Sequence, residues 1–137
     1  MSKYNSKKIV IDGYTFDSKH EGLYYEVLKR KKAAGEIFNF ELQPKFVLQE
    51  GFKKNGKTYR AITYAADFRV YMDENTSYCV DIKGMVTDVF AIKLKLFNAR
   101  YDEELKLIVK NNKYGDSDGF IDYYKLKELR KMNKKKK

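Results

Sequence analysis

The sequence predicts an α/β fold, a sheet with helices laid on its faces, built as one domain. Three observations predict it. Residues 65–84, AADFRVYMDENTSYCVDIKG, alternate apolar and polar side chains on either side of a polar Asp73-Glu74-Asn75-Thr76 turn, as two neighbouring strands do. Residues 18–34 and 88–100 carry apolar residues at helical spacing instead. A chain of 137 residues that is 43% hydrophobic and 15% aromatic can enclose a single core despite 35% charge.

Residues 1–8 are polar and basic, as expected of a mobile arm. Residues 9–16 predict two short strands folded at Asp12-Gly13, a strong turn dipeptide. A helix is expected from about Ser18 to Ala34, closed by Gly35 at the C′ position. Leu23, Val27 and Leu28 form its apolar stripe. Lys29, Arg30, Lys31 and Lys32 gather toward its C-terminus, where the helix dipole favours cations. Residues 37–42 alternate as a strand, Gln43-Pro44 breaks or bends it, and residues 45–49 continue extended; the proline argues for an edge or a bulge. Asn55-Gly56, flanked by Lys53, Lys54 and Lys57, predicts a hairpin tip, and residues 59–72 a long strand running through Asp67.

Gly84-Met85-Val86 takes the chain off the sheet, and Thr87 or Asp88 opens a second helix to Arg100. Val89, Ile92, Leu96 and Phe97 are its expected buried stripe, with Lys93 and Lys95 off it. A strand over residues 105–109 completes the main body, residues 1–112. Residues 113–137 add a turn-rich linker (113–119), a short amphipathic helix (121–132) carrying Tyr124, Leu126 and Leu129, and a tail of Asn133 and four lysines, all belonging to the same domain. The linker carboxylates lack the closing Glu and the Gly placement of a calcium loop.

The net charge of +10 and a pI near 9.5 point to an anionic partner, nucleic acid or a membrane surface. No apolar run is long enough to span a bilayer, and the opening MSKYNSKK lacks the apolar stretch of a signal peptide. Cys79 is the only cysteine and His20 the only histidine. That excludes an internal disulfide, a thiolate zinc site and histidine-based catalytic pairs. Any chemistry must use carboxylates, lysine and metal, in a reduced, cytoplasmic protein.

The candidate chemistry lies in the two-strand stretch. Asp81 and Lys83 are two residues apart, so a pleated strand points both to one face while Val80 and Ile82 point to the other. On the preceding strand Phe68, Val70 and Met72 share a face and Asp67 lies opposite, so antiparallel pairing brings Asp67 beside Asp81 and Lys83. Two carboxylates and a lysine at one end of a sheet suit metal-assisted phosphodiester hydrolysis. Hard oxygen ligands hold a magnesium ion that fills its shell with water and substrate phosphate. The lysine orients or deprotonates the attacking water. A membrane-surface partner would account for the lysine tail but not for this arrangement. Glu21 fits the third position of a capping box beginning at Ser18, an account complete without catalysis.

The spacing resembles the PD-(D/E)xK nuclease superfamily, with Ala66-Asp67 as a first half-motif lacking its proline and Asp81-Ile82-Lys83 as a full second half-motif. More specifically, Phe16-Asp17-Ser18-Lys19 with Glu21, Leu42-Gln43-Pro44-Lys45-Phe46, Tyr64-Ala65-Ala66-Asp67-Phe68 and Asp81-Ile82-Lys83-Gly84 look like a family of small phage-encoded, Holliday-junction-resolvase-like endonucleases. The resemblance covers roughly residues 9–109. It implies a restriction-endonuclease-like αβββαβ core with a mixed central sheet. It also implies a Mg2+- or Mn2+-dependent endonuclease acting on branched or otherwise structured DNA in a bacterial host's cytoplasm, and a homodimer; a non-specific or nicking phage nuclease, and a non-catalytic DNA-binding accessory protein, are the alternative readings. Asp67, Asp81 and the Ile82 carbonyl would hold the metal, Lys83 would serve the water, and Glu21 would assist. Gln43, Lys45 and Lys93 or Lys95 would approach phosphate. The basic hairpin tip, Lys53, Lys54 and Lys57, is expected to contact DNA through its charge.

Overall fold

A computed structural model describes residues 7–135. Residues 1–6 of the expected N-terminal arm, and Lys136 and Lys137 of the lysine tail, lie outside the described residues. β1 (Ile9–Ile11) and β2 (Tyr14–Phe16) form the expected hairpin, with Asp12 at φ 54° and Gly13 at φ 82°, the left-handed pair that a tight hairpin turn needs. α1 (Lys19–Ala33) follows, capped by Ser18 and closed by Gly35 at φ 77°. Its buried face consists of Gly22, Tyr24, Tyr25, Val27 and Leu28. Leu23, expected on that face, is instead exposed. The two tyrosines take the sheet side, where Tyr24 packs on Phe68 at 5.6 Å and Tyr25 on Phe16 at 5.0 Å between ring centroids.

Residues 39–71 form one long antiparallel ribbon. Its lower rungs pair β3 (Asn39–Leu42) with β8 (Phe68–Tyr71), its middle rungs β4 (Lys45–Gln49) with β7 (Ile62–Ala65), and its end β5 (Phe52–Lys54) with β6 (Lys57–Tyr59). Asn55 and Gly56, both at positive φ, close the tip as expected. The single long strand expected over residues 59–72 is therefore interrupted, at Arg60-Ala61 and at Ala66-Asp67. The second interruption faces Gln43-Pro44. Gln43 takes a left-handed φ of 50° and Pro44 has no N–H to donate, so the ladder bends there. Two bonds span the bend: Gln43 N–H to the Asp67 carbonyl at 3.0 Å and Ala66 N–H to the Pro44 carbonyl at 3.1 Å.

The central sheet is completed by β9 (Ser77–Ile82), β10 (Leu105–Lys110) and β11 (Phe120–Asp122), in the order β11-β10-β9-β8-β3. β9 and β10 run parallel, and their other pairings are antiparallel, so the sheet is mixed. α2 (Asp88–Arg100) is the crossover that parallel neighbours require. The elements that build this sheet follow the expected order, helix, three strands, helix and strand. β11 is an addition. It takes up Ile121, so α3 (Tyr123–Lys135) begins later than expected and runs on through Asn133 and into the lysine tail.

Two cores lie on opposite faces of the sheet. One holds α1 against Phe68, Val70 and Val80. The other holds the bent ribbon (Phe46, Leu48, Tyr64) and α2 (Phe90, Phe97) against Cys79 and Leu107. β9 is covered on both sides, with Cys79, Val80 and Asp81 no more than 2% exposed. The face of α2 differs from expectation: Phe97 is buried, but Val89 and Ile92 are exposed and Phe90 takes the sheet side. Phe97 stands edge-on to Phe46 at 4.9 Å and Phe90 lies 5.9 Å from Tyr64, so the aromatic rings of the ribbon set the rotation of the helix. Met72, expected beside Phe68 and Val70, is also exposed, because β8 ends at Tyr71. Among the described residues no helix is long and apolar enough to cross a membrane.

Candidate active site

The site forms where the ribbon bends away from the sheet and β9 continues with no partner on its β8 side. Cys79 on β9 and Lys83 just after it donate their N–H groups toward the β10 side, to the carbonyls of Glu104 and Ile108. The N–H of Ile82 consequently points toward β8, which has already ended. The carboxylate of Asp67 takes the place of the missing rung, its Oδ2 accepting the Ile82 N–H at 2.8 Å. In return, Asp67 donates its own N–H to Oδ1 of Asp81 at 2.9 Å. The two aspartates are thus locked to each other's strand by backbone bonds, and their approach follows from the bend.

Among the described residues Asp81 is the one charged residue that is buried, 2% exposed. Its Oδ2 accepts the phenolic O–H of Tyr64, brought over it by the folded-back ribbon. The Lys83 ammonium stands 3.8 Å from the same oxygen and 4.3 Å from the centroid of the Phe90 ring. The ring face attracts the cation and holds it beside the carboxylate.

Burial raises the Asp67 carboxyl well above its ordinary pKa. The nearby charges of Asp81 and Glu21 add to the rise, and the Ile82 N–H bond only partly opposes it. Glu21 is raised too, by burial first, then by Asp17 and, more weakly, Asp81; the Asp17 N–H and Lys83 act the other way. Three carboxylates from α1, the ribbon and β9 therefore repel one another in a partly dry site. Burial and Asp81 push the Tyr64 hydroxyl far above its normal range, so it is a hydrogen-bond donor and no base.

A cleft of 370 Å³ beside the β1–β2 hairpin is lined by Glu21, Gln43 and Asp67. Backbone bonds join Asp67 to Asp81 and Ile82, the Lys83 ammonium stands beside Asp81, and Glu21 and Gln43 share the cleft with Asp67. The Glu21 N–H bonds Ser18 Oγ at 3.2 Å, which is the first half of a capping box. Its carboxylate is within electrostatic reach of Asp17, Asp67 and Asp81. Lys45 is exposed on the first rung beyond the bend, opposite Ala65. Lys93 is half-buried one helical turn after Phe90, whereas Lys95 is exposed on another side of α2. Lys53, Lys54 and Lys57 lie apart, at the end of the ribbon. Tyr64 and Phe90 are site residues that sequence reasoning missed. A buried tyrosine needs a partner for its hydroxyl, and that was the available signal for Tyr64.

Among the described residues no three Asp, Glu, His or Cys side chains stand close enough to grip an ion together. Asp67 and Asp81 offer oxygen ligands only. That donor set fits magnesium, which is commonly held by one or two carboxylates and completes its shell with water and phosphate. The clustered carboxylate charge is what such a cation would relieve. No curated protein matches the chain. A family model described as "Protein of unknown function (DUF1064)" matches residues 1–116, and the chain accordingly belongs to the DUF1064 family.

Proposed function

We propose that the protein is a Mg2+- or Mn2+-dependent endonuclease that hydrolyses phosphodiester bonds in DNA, with branched or otherwise structured DNA as substrate. One observation carries the reading: Asp67 and Asp81 are fixed to each other by reciprocal backbone bonds, with Lys83 held 3.8 Å from Asp81. The divalent ion would supply Lewis acidity toward the scissile phosphate. Asp67 and Asp81, with the Ile82 carbonyl, would bind it, and Tyr64 would keep Asp81 in its orientation. Lys83 would orient the attacking water and offset the negative charge that builds as water adds to phosphorus and the P–O ester bond breaks. Glu21, opening onto the cleft with a raised pKa, would accept the proton that the water releases. A two-fold homodimer would match the two related strands of a four-way junction.

A second reading, a DNA-binding protein without catalysis, is favoured by one feature: both Asp81 oxygens already have donors within the protein. Cleavage of labelled four-way junction, flap and plain duplex with magnesium decides between them. The wild type is expected to cut the junction, and Asp81→Asn and Lys83→Met to lose about a hundredfold or more of that rate. Equal cutting of all three substrates would keep the site and replace structured DNA by DNA in general. A junction bound but never cut with either metal would sink the enzyme reading and leave the binding protein.

A further inference from the structure

The end of the ribbon serves no core. Every residue from Gly51 to Thr63 is exposed, and none belongs to either buried cluster. Yet it carries a pattern. Phe52 and Tyr59 face each other across one rung with their rings stacked at 4.9 Å and 12° between planes. The next rung on the same face pairs Lys54 with Lys57 directly opposite. Like charges across a rung destabilise a hairpin by themselves. Among the described residues Lys53, Lys54 and Lys57 have no acidic partner within salt-bridge distance, while the Lys57 ammonium lies 5.3 Å from the Tyr59 ring. The base of the arm, in contrast, is fastened to α2: Arg100 pairs with Glu50 at 2.7 Å, and the Tyr101 hydroxyl donates to the Val47 carbonyl at 2.8 Å. The free arm is therefore carried at a fixed place relative to the helix that supports Lys83.

We infer that this arm reads unpaired bases: the Phe52–Tyr59 rung stacks on a base exposed at a DNA branch or gap, and the Lys54–Lys57 rung takes the adjoining phosphates. The inference deepens the proposed nuclease function and rests on it for the choice of DNA as the polyanion. Stacking on an aromatic platform tolerates any base, and flanking cations hold the strand. An apolar protein partner would not accept the lysine rung, and a polyanion without flat bases would leave the aromatic rung unused. Properly paired duplex offers no free base face. The arm therefore confers preference for interrupted DNA, which the aspartates and Lys83 cannot do.

Binding measured in EDTA separates this from catalysis, using gapped duplex with 2-aminopurine at the unpaired position and intact duplex as control. The wild type is expected to prefer the gapped DNA and change its 2-aminopurine fluorescence. Phe52→Leu/Tyr59→Leu keeps the arm apolar but removes the π faces. It should weaken gapped-DNA binding about tenfold and abolish the fluorescence change, with duplex binding within about twofold of wild type. Lys54→Gln/Lys57→Gln should weaken both and lower the slope of log affinity against log salt by about two. A leucine variant that binds and reports like wild type would overturn the inference, while loss of cutting in Asp81→Asn would still uphold the nuclease. Arm-dependent gap binding without any cutting would uphold the arm and sink the nuclease. Thermal denaturation of both arm variants should match the wild type; unfolding of either would contradict an arm outside the cores.

Discussion

At the scale of single residues, the chain places a carboxyl where it is costly to charge. Asp67 is desolvated and faces Asp81 and Glu21, so its folded-state pKa lies above its unfolded value. The folded protein then keeps a proton that the unfolded chain has released. Stability is lost as pH climbs from about 4 toward the folded-state pKa, at no more than about 1.4 kcal/mol per pH unit from this group. Asp67→Asn, which can still accept the Ile82 N–H, is expected to raise the melting temperature of the metal-free protein at pH 8. The gain should shrink steadily toward pH 4. A gain independent of pH, or none, would mean that Asp67 is not strained by its charge. The sequence made this residue legible because the two-residue pleat fixes the side shared by Asp81 and Lys83, and antiparallel pairing brings Asp67 to them. Tyr64 was not legible in the same way. Its hydroxyl reaches Asp81 only because the ribbon folds back, and strand parity carries no information about a fold-back.

Elements were read correctly where a local signal is unambiguous and misread where several signals compete. Asp12-Gly13, Asn55-Gly56 and Gly35 each need left-handed backbone, and each ends or turns an element as expected. The strand over residues 59–72 was read as continuous because its interruption at Asp67 is imposed from across the ribbon by Gln43-Pro44. β11 has three residues, too few for a period to show. On α2 the difficulty is different: Val89, Phe90, Ala91, Ile92, Leu94, Leu96 and Phe97 surround much of the helix with apolar side chains, so more than one stripe satisfies a helical period. Packing against Phe46 and Tyr64 decides in favour of Phe90 and Phe97. Phe97→Ala is accordingly expected to cost about 3–5 kcal/mol in urea denaturation. Ile92→Ser, on the stripe that periodicity favoured, should change stability by about 0.5 kcal/mol or less. Comparable losses from both would return Ile92 to the core and reverse the rotation assigned to the helix.

For the molecule as a whole, the decisive feature is that the site is assembled from distant parts of the chain: Glu21 from α1, Gln43 and Asp67 from the two sides of the ribbon bend, Asp81 and Lys83 from β9 and the residue after it. None of these segments holds the arrangement alone, and the unfolded chain has no site. A ligand that binds there binds only the folded state, so it must stabilise the entire domain by mass action, about 2.7 kcal/mol at a concentration a hundred times its dissociation constant. For a chain of this size that corresponds to a rise of several degrees in melting temperature. Magnesium is therefore expected to raise the melting temperature of the wild type, and more at pH 8 than at pH 5.5, because at the lower pH it competes with the proton that Asp67 retains. Asp81→Asn should abolish the rise, and sodium chloride at equal ionic strength should not reproduce it. Thermal denaturation across that grid of pH, salt and variant reads the site without any nucleic acid present. An equal rise in Asp81→Asn would place magnesium elsewhere on the molecule; no rise at all in the wild type would leave the carboxylates as a charged hinge for the ribbon, held together by Tyr64 and two backbone bonds.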